Sequence, residues 1–375
     1  MSFTVRQLSV GTSMVLSIGL ACGTATALWA SDSNSGKFDE HVAFVPTNLD
    51  SNIEGRAAVT DPNLQNAWGI AFAPGSPFWV NDNHAGLSTL YAGDGSIAPL
   101  VVTIPAPPSS PAGTISAPTG MVWNPTTAFL VPGSTLPAIF IFDGEDGTIS
   151  AWNPGVSSAT AVIAVDNSAA TAIYKGLAFG TNAAGNHLYA TNFHAGTIEV
   201  YDSQYKPATT AGNFADSRLP AGYAPFGIQN IDGDLWVTFA KQDADKGDDV
   251  GGPGHGFVDV FDTDGHLLKR FAQHGVLNSP WGLARAPYGF GQFSGDILVG
   301  NFKNGRINAF DAQGNFEGEL RQPDGQTMVI DGLWALAFGG GAKSSPEQLF
   351  FTAGPDDESN GLFGVINAVH RGHHD

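Results

Sequence analysis

The chain has 375 residues, with 16 Lys and Arg against 35 Asp and Glu, for a formal charge of −19. An acidic excess on this scale repels nucleic acid and anionic lipid, so neither is an expected partner. Its 48 Gly and 23 Pro suit many short strands joined by tight turns, and its single Cys leaves no disulfide or thiolate metal site to be made within the chain.

Residues 1–30 read as a secretory signal: Arg6, an apolar run from Leu8 to Cys22, and an A-x-A cleavage site at Ala25-Thr26-Ala27. Cys22 follows Gly19-Leu20-Ala21, which also admits a lipid anchor at that cysteine. The expectation is an exported protein, periplasmic or secreted. Residues 31–40 are a polar tether. Val42-Ala43-Phe44-Val45-Pro46 then has the pattern of a strand with no neighbour in sequence to pair with.

From there one motif returns six times. A small turn leads into a glycine and a short apolar run at Gly69, Gly120, Gly176, Gly227, Gly282 and Gly332. A second apolar strand follows each, such as Phe78-Trp79-Val80 or Ile297-Leu298-Val299. A glycine turn and a third strand with period-two alternation complete the unit, as in Thr197-Ile198-Glu199-Val200-Tyr201. Asp94-Gly95, Asp146-Gly147, Asp264-Gly265 and Asn304-Gly305 fall between the runs, where hairpins need them. A strand-built period near fifty residues predicts propeller blades. The fold class is therefore all-β: a six-bladed β-propeller over residues 41–369, with the orphan N-terminal strand closing the last blade. The expected state is a monomer. Residues 370–375, a tail holding His370, His373 and His374, read as a solvated end.

The repeat resembles that of NHL-type six-bladed propellers: Asp82, Asp143, Asn192 and Asn301 each stand four residues before a turn glycine. Strings such as Thr60-Asp61-Pro62-Asn63-Leu64 and Val299-Gly300-Asn301-Phe302 are similar to those of a family of secreted bacterial propellers of unassigned function. That resemblance implies the fold and export and brings no reaction with it.

Candidate sites follow from the repeat. The residues before the six glycines are Trp68, Thr119, Lys175, Phe226, Trp281 and Asp331, expected to ring the channel mouth. In the similar calcium-dependent lactonases this position carries metal-binding Glu, Asn and Asp. Here one carboxylate, one hydroxyl and a lysine cannot supply the six to eight oxygens calcium takes. The ring reads instead either as a plug or as an amphipathic ligand surface, with Lys175 and Asp331 opposite each other. Asp243, Asp245 and Asp249 lie in a glycine-rich insertion of the fourth blade. They have the alternating spacing of a calcium loop but lack the acidic residue at its twelfth position. Asp356-Asp357-Glu358 occupies a matching insertion in the sixth. Two functions stay open. One is a module binding a small molecule or a cell-surface partner. The other is a hydrolase or lyase acting on a lactone, ester or glycan, with Asp331 and Lys175 or a loop carboxylate as acid or base.

Overall fold

The protein is described here by a computed structural model covering residues 42–370. The signal, tether, Cys22 and the tail beyond His370 lie outside the described residues.

The first strand, β1 (Val42–Ser51), carries a short parallel neighbour, β2 (Val59–Thr60), at its outer edge. Blade 1 comprises β3 (Ala67–Ala71), β4 (Phe78–Asp82), β5 (Leu87–Tyr91) and β6 (Val102–Thr103). Blade 2 follows as β7 (Pro118–Trp123), β8 (Phe140–Gly144), β9 (Thr148–Trp152) and β10 (Val162–Asp166). Blade 3 has three strands, β11 (Tyr174–Asn182), β12 (Gly185–Asn192) and β13 (Thr197–Tyr201). Blade 4 is β14 (Tyr223–Ile231), β15 (Asp234–Lys241), β16 (Phe257–Phe261) and β17 (Leu267–Gln273). Blade 5 is β18 (Pro280–Arg285), β19 (Ile297–Asn301), β20 (Ile307–Phe310) and β21 (Phe316–Glu319). Blade 6 is β22 (Leu333–Phe338), β23 (Leu349–Ala353) and β24 (Leu362–His370), completed by β1. The antiparallel ladder between β1 and β24 runs from Val42 opposite His370 to Ser51 opposite Leu362, so the two ends of the described chain zip the ring shut. Closure leaves no bare edge between the first blade and the last.

Neighbouring blades share apolar cores. Phe78 and Phe350 meet between blades 6 and 1, and Trp79, Phe140 and Trp152 between blades 1 and 2. Tyr189 and Phe214 lie in the layer between blades 3 and 4. A further cluster, Trp68, Phe193, Phe226, Phe302 and Trp334, sits on the axis.

The repeated glycine is explained by approach distance. A Cβ on Gly227 would lie 2.3 Å from the carbonyl oxygen of Trp281, the residue that opens the next blade. The same clash meets Gly69 against Thr119 and Gly282 against Trp334. Only glycine lets the inner strands crowd this closely around the axis. Blade 6 departs from the expected register. Leu333 pairs with Ala353 and Leu336 with Phe351, as Ala67 pairs with Asp82 and Ile70 with Val80 in blade 1. Its counterpart of Trp68 is therefore Trp334, followed by Ala335. Gly332 has φ +64° and serves the turn before the strand.

Candidate functional site

Of the six expected ring residues, the structure brings five to the axis. Trp68, Thr119, Lys175 and Phe226 are buried there, and Trp281 is half-buried. Asp331 is not among them. It lies exposed in the turn ahead of β22, three residues before the ring position, where its carboxylate accepts from the Asp356 amide at 2.9 Å. The expected opposition of Lys175 and Asp331 is corrected accordingly: Trp334 takes that place.

The aromatics close the channel. Trp334 is sandwiched between Trp68, with ring centroids 3.5 Å apart, and Phe302, at 3.8 Å. Trp281 meets both tryptophans edge-on, and Phe226 leans on Trp334 at 5.9 Å. Over this plug lies the Lys175 ammonium, 5.3 Å from the Trp68 ring and 5.9 Å from Phe193.

At this end of the channel the connections between the second and third strands of the blades converge. Blade 1 supplies Asn83, blade 2 Glu145, blade 4 Asp248 and Asp249, blade 5 Lys303, and blade 6 Glu358. Lys175 pairs with Glu145 and, at 3.0 Å, with Asp248. Lys303 stands 3.6 Å from Asp249. Asn83 donates to Glu145 at 3.0 Å, and Asn66 donates to Glu358 at 2.8 Å and to Asn83 at 3.3 Å. Asn66 also accepts from the Trp334 indole at 2.9 Å, tying the mouth to the plug.

Burial pulls the Lys175 pKa down, but the two carboxylates outweigh it and the ammonium ends above lysine's ordinary value. It is a fixed cation, not a base. Glu358 is raised by burial and by Glu145 against the opposing hydrogen bond from Asn66. Asp249 is raised by burial against Lys303.

Glu358 reaches the mouth on an unusual backbone. Asp356, Asp357 and Glu358 are successive non-glycine residues in the left-handed region, with φ of 59°, 52° and 64°. Such residues cost on the order of 1 kcal/mol each. The turn is held by Arg56 on Asp356 at 2.6 Å, by Asn360 on Asp356 at 3.0 Å and by the Asp331 contact.

The acidic insertion of blade 4 does not gather its carboxylates. Asp243 accepts from the Gly247 amide within its own turn, Asp245 is exposed, and Asp249 turns toward Lys303. No group of three His, Cys, Asp or Glu among the described residues is arranged to hold a metal ion. The residues missed by sequence reasoning are Asn83, Glu145, Asp248 and Lys303. Their one shared signal is position: each follows the second strand of its blade.

Away from the plug, the other end of the channel opens into a funnel of about 500 Å³ walled by the inner strands of all six blades, with Trp281 among its lining.

The chain belongs to a family that includes two uncharacterized proteins of Acanthamoeba polyphaga mimivirus. To R648 it is 33% identical over 327 residues, covering 85% of this chain and 78% of that one. To L690 it is 31% identical over 326 residues, covering 85% and 84%. No family model matches the chain. Among solved structures it is similar in fold to virginiamycin B lyase from Staphylococcus aureus, with 13% identity, a TM-score of 0.50, and coverage of 88% of this chain and all of that one. A protein of unknown function from Bacteroides thetaiotaomicron gives 11% identity and a TM-score of 0.52, covering 87% and 76%. The two mimivirus relatives are viral, so they do not carry the expectation of a bacterial, exported family; the fold of this chain is the six-bladed propeller. Among the described residues no helix is long and apolar enough to cross a membrane.

Proposed function

We propose that this chain is a recognition propeller whose charged mouth binds a small, hydroxyl-rich ligand of the sugar class. The observation that carries the reading is the convergence of loop side chains from five blades on one point of the axis, including Glu358 on a strained turn. Strain of that kind is held where the surrounding structure over-determines it, and it concentrates at sites of function. Carboxylates at Glu145, Asp248 and Glu358 accept from hydroxyl donors, while Lys303 donates to hydroxyl acceptors. Such mixed polarity suits a ligand that both gives and takes hydrogen bonds. The propeller itself brings no activity, since one fold hosts unrelated chemistries.

The test is calorimetric titration of mono- and oligosaccharides into the wild-type protein, Glu358→Gln and Lys303→Met. The expected result is saturable binding weakened at least tenfold by either variant. Absence of binding across the panel, or binding indifferent to both substitutions, would sink the reading.

One observation favours a second reading, acid–base catalysis at the same mouth. Glu358 holds its proton above the ordinary carboxylate range beside an ion-paired Glu145, and carboxyls in contrasting environments suit the roles of acid and base. The substrate would be a glycan or lactone, with Glu358 as the acid. Under this reading Glu358→Gln abolishes turnover of such a substrate while leaving its binding measurable. Calcium at the acidic loop would require Asp243, Asp245 and Asp249 to turn toward one another, and a thermal shift with calcium and with chelator tests for it.

A further inference from the structure

The plug divides the channel, and its second end has a different chemistry. Trp68, Trp334, Phe193 and Phe226 are each at most 1% exposed, so a ligand at the charged mouth does not enter the funnel. The funnel holds about 500 Å³, within the range of sites for small organic molecules.

Its walls are sorted. Four residues beyond the ring position of each blade but the fourth stands a large aromatic or an arginine: Phe72, Trp123, Phe179, Arg285 and Phe338. The four aromatics are half-buried. Phe72 is braced edge-on against Phe78 at 4.9 Å, and Phe338 against Phe290 at 4.9 Å, leaving the remaining surface of each to the opening. One residue closer to the axis, small side chains such as Ala71 and Ala337 keep the space free. Polar side chains are confined to the sector of blades 4 and 5. There the Asn230 amide is spent on the Phe179 carbonyl at 2.9 Å and on the Gly233 amide at 3.0 Å, and Arg285 is paired with Asp232. Gln229 is exposed, and its side chain makes no hydrogen bond among the described residues. Trp281, in the lining, has its indole donor committed to the Lys175 carbonyl at 2.8 Å and offers only its ring.

We infer that this funnel is a binding site, separate from the charged mouth, for a neutral molecule with a flat apolar ring system and one hydrogen-bond acceptor. The ring lies against the aromatic sector, and the acceptor takes the Gln229 amide. Neutrality follows from charge: the one cation in the lining, Arg285, already has a carboxylate partner, and a protein carrying −19 disfavours a further anion.

The probe is a neutral naphthalene ketone whose emission depends on polarity, 6-propionyl-2-dimethylaminonaphthalene, titrated into the folded protein. An anionic naphthalene sulfonate run in parallel reports charge preference. The expected result is a single saturable site for the ketone with blue-shifted emission, and at least tenfold weaker binding of the sulfonate. Ala71→Trp, which fills the funnel, removes the site. Gln229→Leu, on an exposed position where folding is not at stake, weakens ketone binding about fivefold. No saturable ketone binding, equal binding of the sulfonate, or a site indifferent to both substitutions overturns the inference.

Discussion

Asp143 offers the sharpest test of how the blades are stitched together. It stands on β8, 1% exposed, and its Oδ1 lies 2.9 Å from the Thr119 hydroxyl. That hydroxyl is also 2.8 Å from the Tyr174 carbonyl of blade 3, and it has one proton to give. Both contacts are satisfied when Asp143 is neutral: the carboxyl donates to Thr119 and Thr119 donates across the blade boundary. Burial accordingly raises the Asp143 pKa from 3.8 to about 7, against the opposing hydrogen bonds. Between those values the folded state holds a proton that the unfolded chain has released. Stability therefore falls as pH rises from about 4 to about 7 and is flat beyond. From pH 5.5, which is above the isoelectric point near 4.6, to pH 8 the loss is on the order of 2 kcal/mol. Asp143→Asn supplies a permanent donor of the same shape. Blade 1 already uses Asn at the equivalent position, where Asn81 donates to the Thr119 and Gly120 carbonyls. Urea unfolding of both proteins at the two pH values checks this. The variant should gain on wild type by about 2 kcal/mol between pH 5.5 and pH 8, while other buried carboxyls such as Asp50 titrate alike in both. Parallel pH profiles for the two proteins would refute the neutral-Asp143 account.

Two further outcomes are expected. Trp334→Ala empties the centre of the plug, losing stacking on Trp68 and Phe302, and should lower unfolding free energy by roughly 3–5 kcal/mol in urea titrations. Gly227→Ala sets a methyl against the Trp281 backbone at 2.3 Å and should cost about 1–3 kcal/mol or more, whereas Gly247→Ala, with nothing within 4 Å, should change stability by less than about 0.5 kcal/mol; a matched pair of thermal melts separates the two.

The parts of the fold that were legible in the sequence are those that packing enforces on residue type. Gly69, Gly227 and Gly282 recur because a backbone carbonyl stands where their Cβ would be. The orphan strand at Val42 was legible because an alternating apolar run with no neighbour needs a distant partner, and β24 supplies it. Blade 6 misled for a physical reason. Ala335 occupies the position of the repeat glycine, while Gly332, three residues earlier, is required by a left-handed turn, so the wrong glycine kept the rhythm. The mouth was less legible still. Asn83, Glu145, Asp248 and Lys303 come from loops that share neither residue type nor length, and only the folded ring brings them together. The spacing of Asp243, Asp245 and Asp249 imitates a cation loop, yet the backbone sends Asp249 to Lys303 and leaves Asp243 capping a local turn.

The same glycines account for the division of labour along the axis. Because they draw the inner strands together, the side chains just before them have no room to stand apart, and large aromatics at four blades must stack on one another. Stacking fills the neck with Trp68, Phe226, Trp281 and Trp334, so that neither end of the channel depends on the other for its shape. The ends are then free to differ. One is finished by loops, which tolerate charge, insertion and a strained turn because water can solvate what they leave unpaired. The other is finished by strand ends, whose side chains are already braced against the blade cores and can offer only surface and shape. A substitution at one end should accordingly leave binding at the other unchanged, since residues that share no partners act independently.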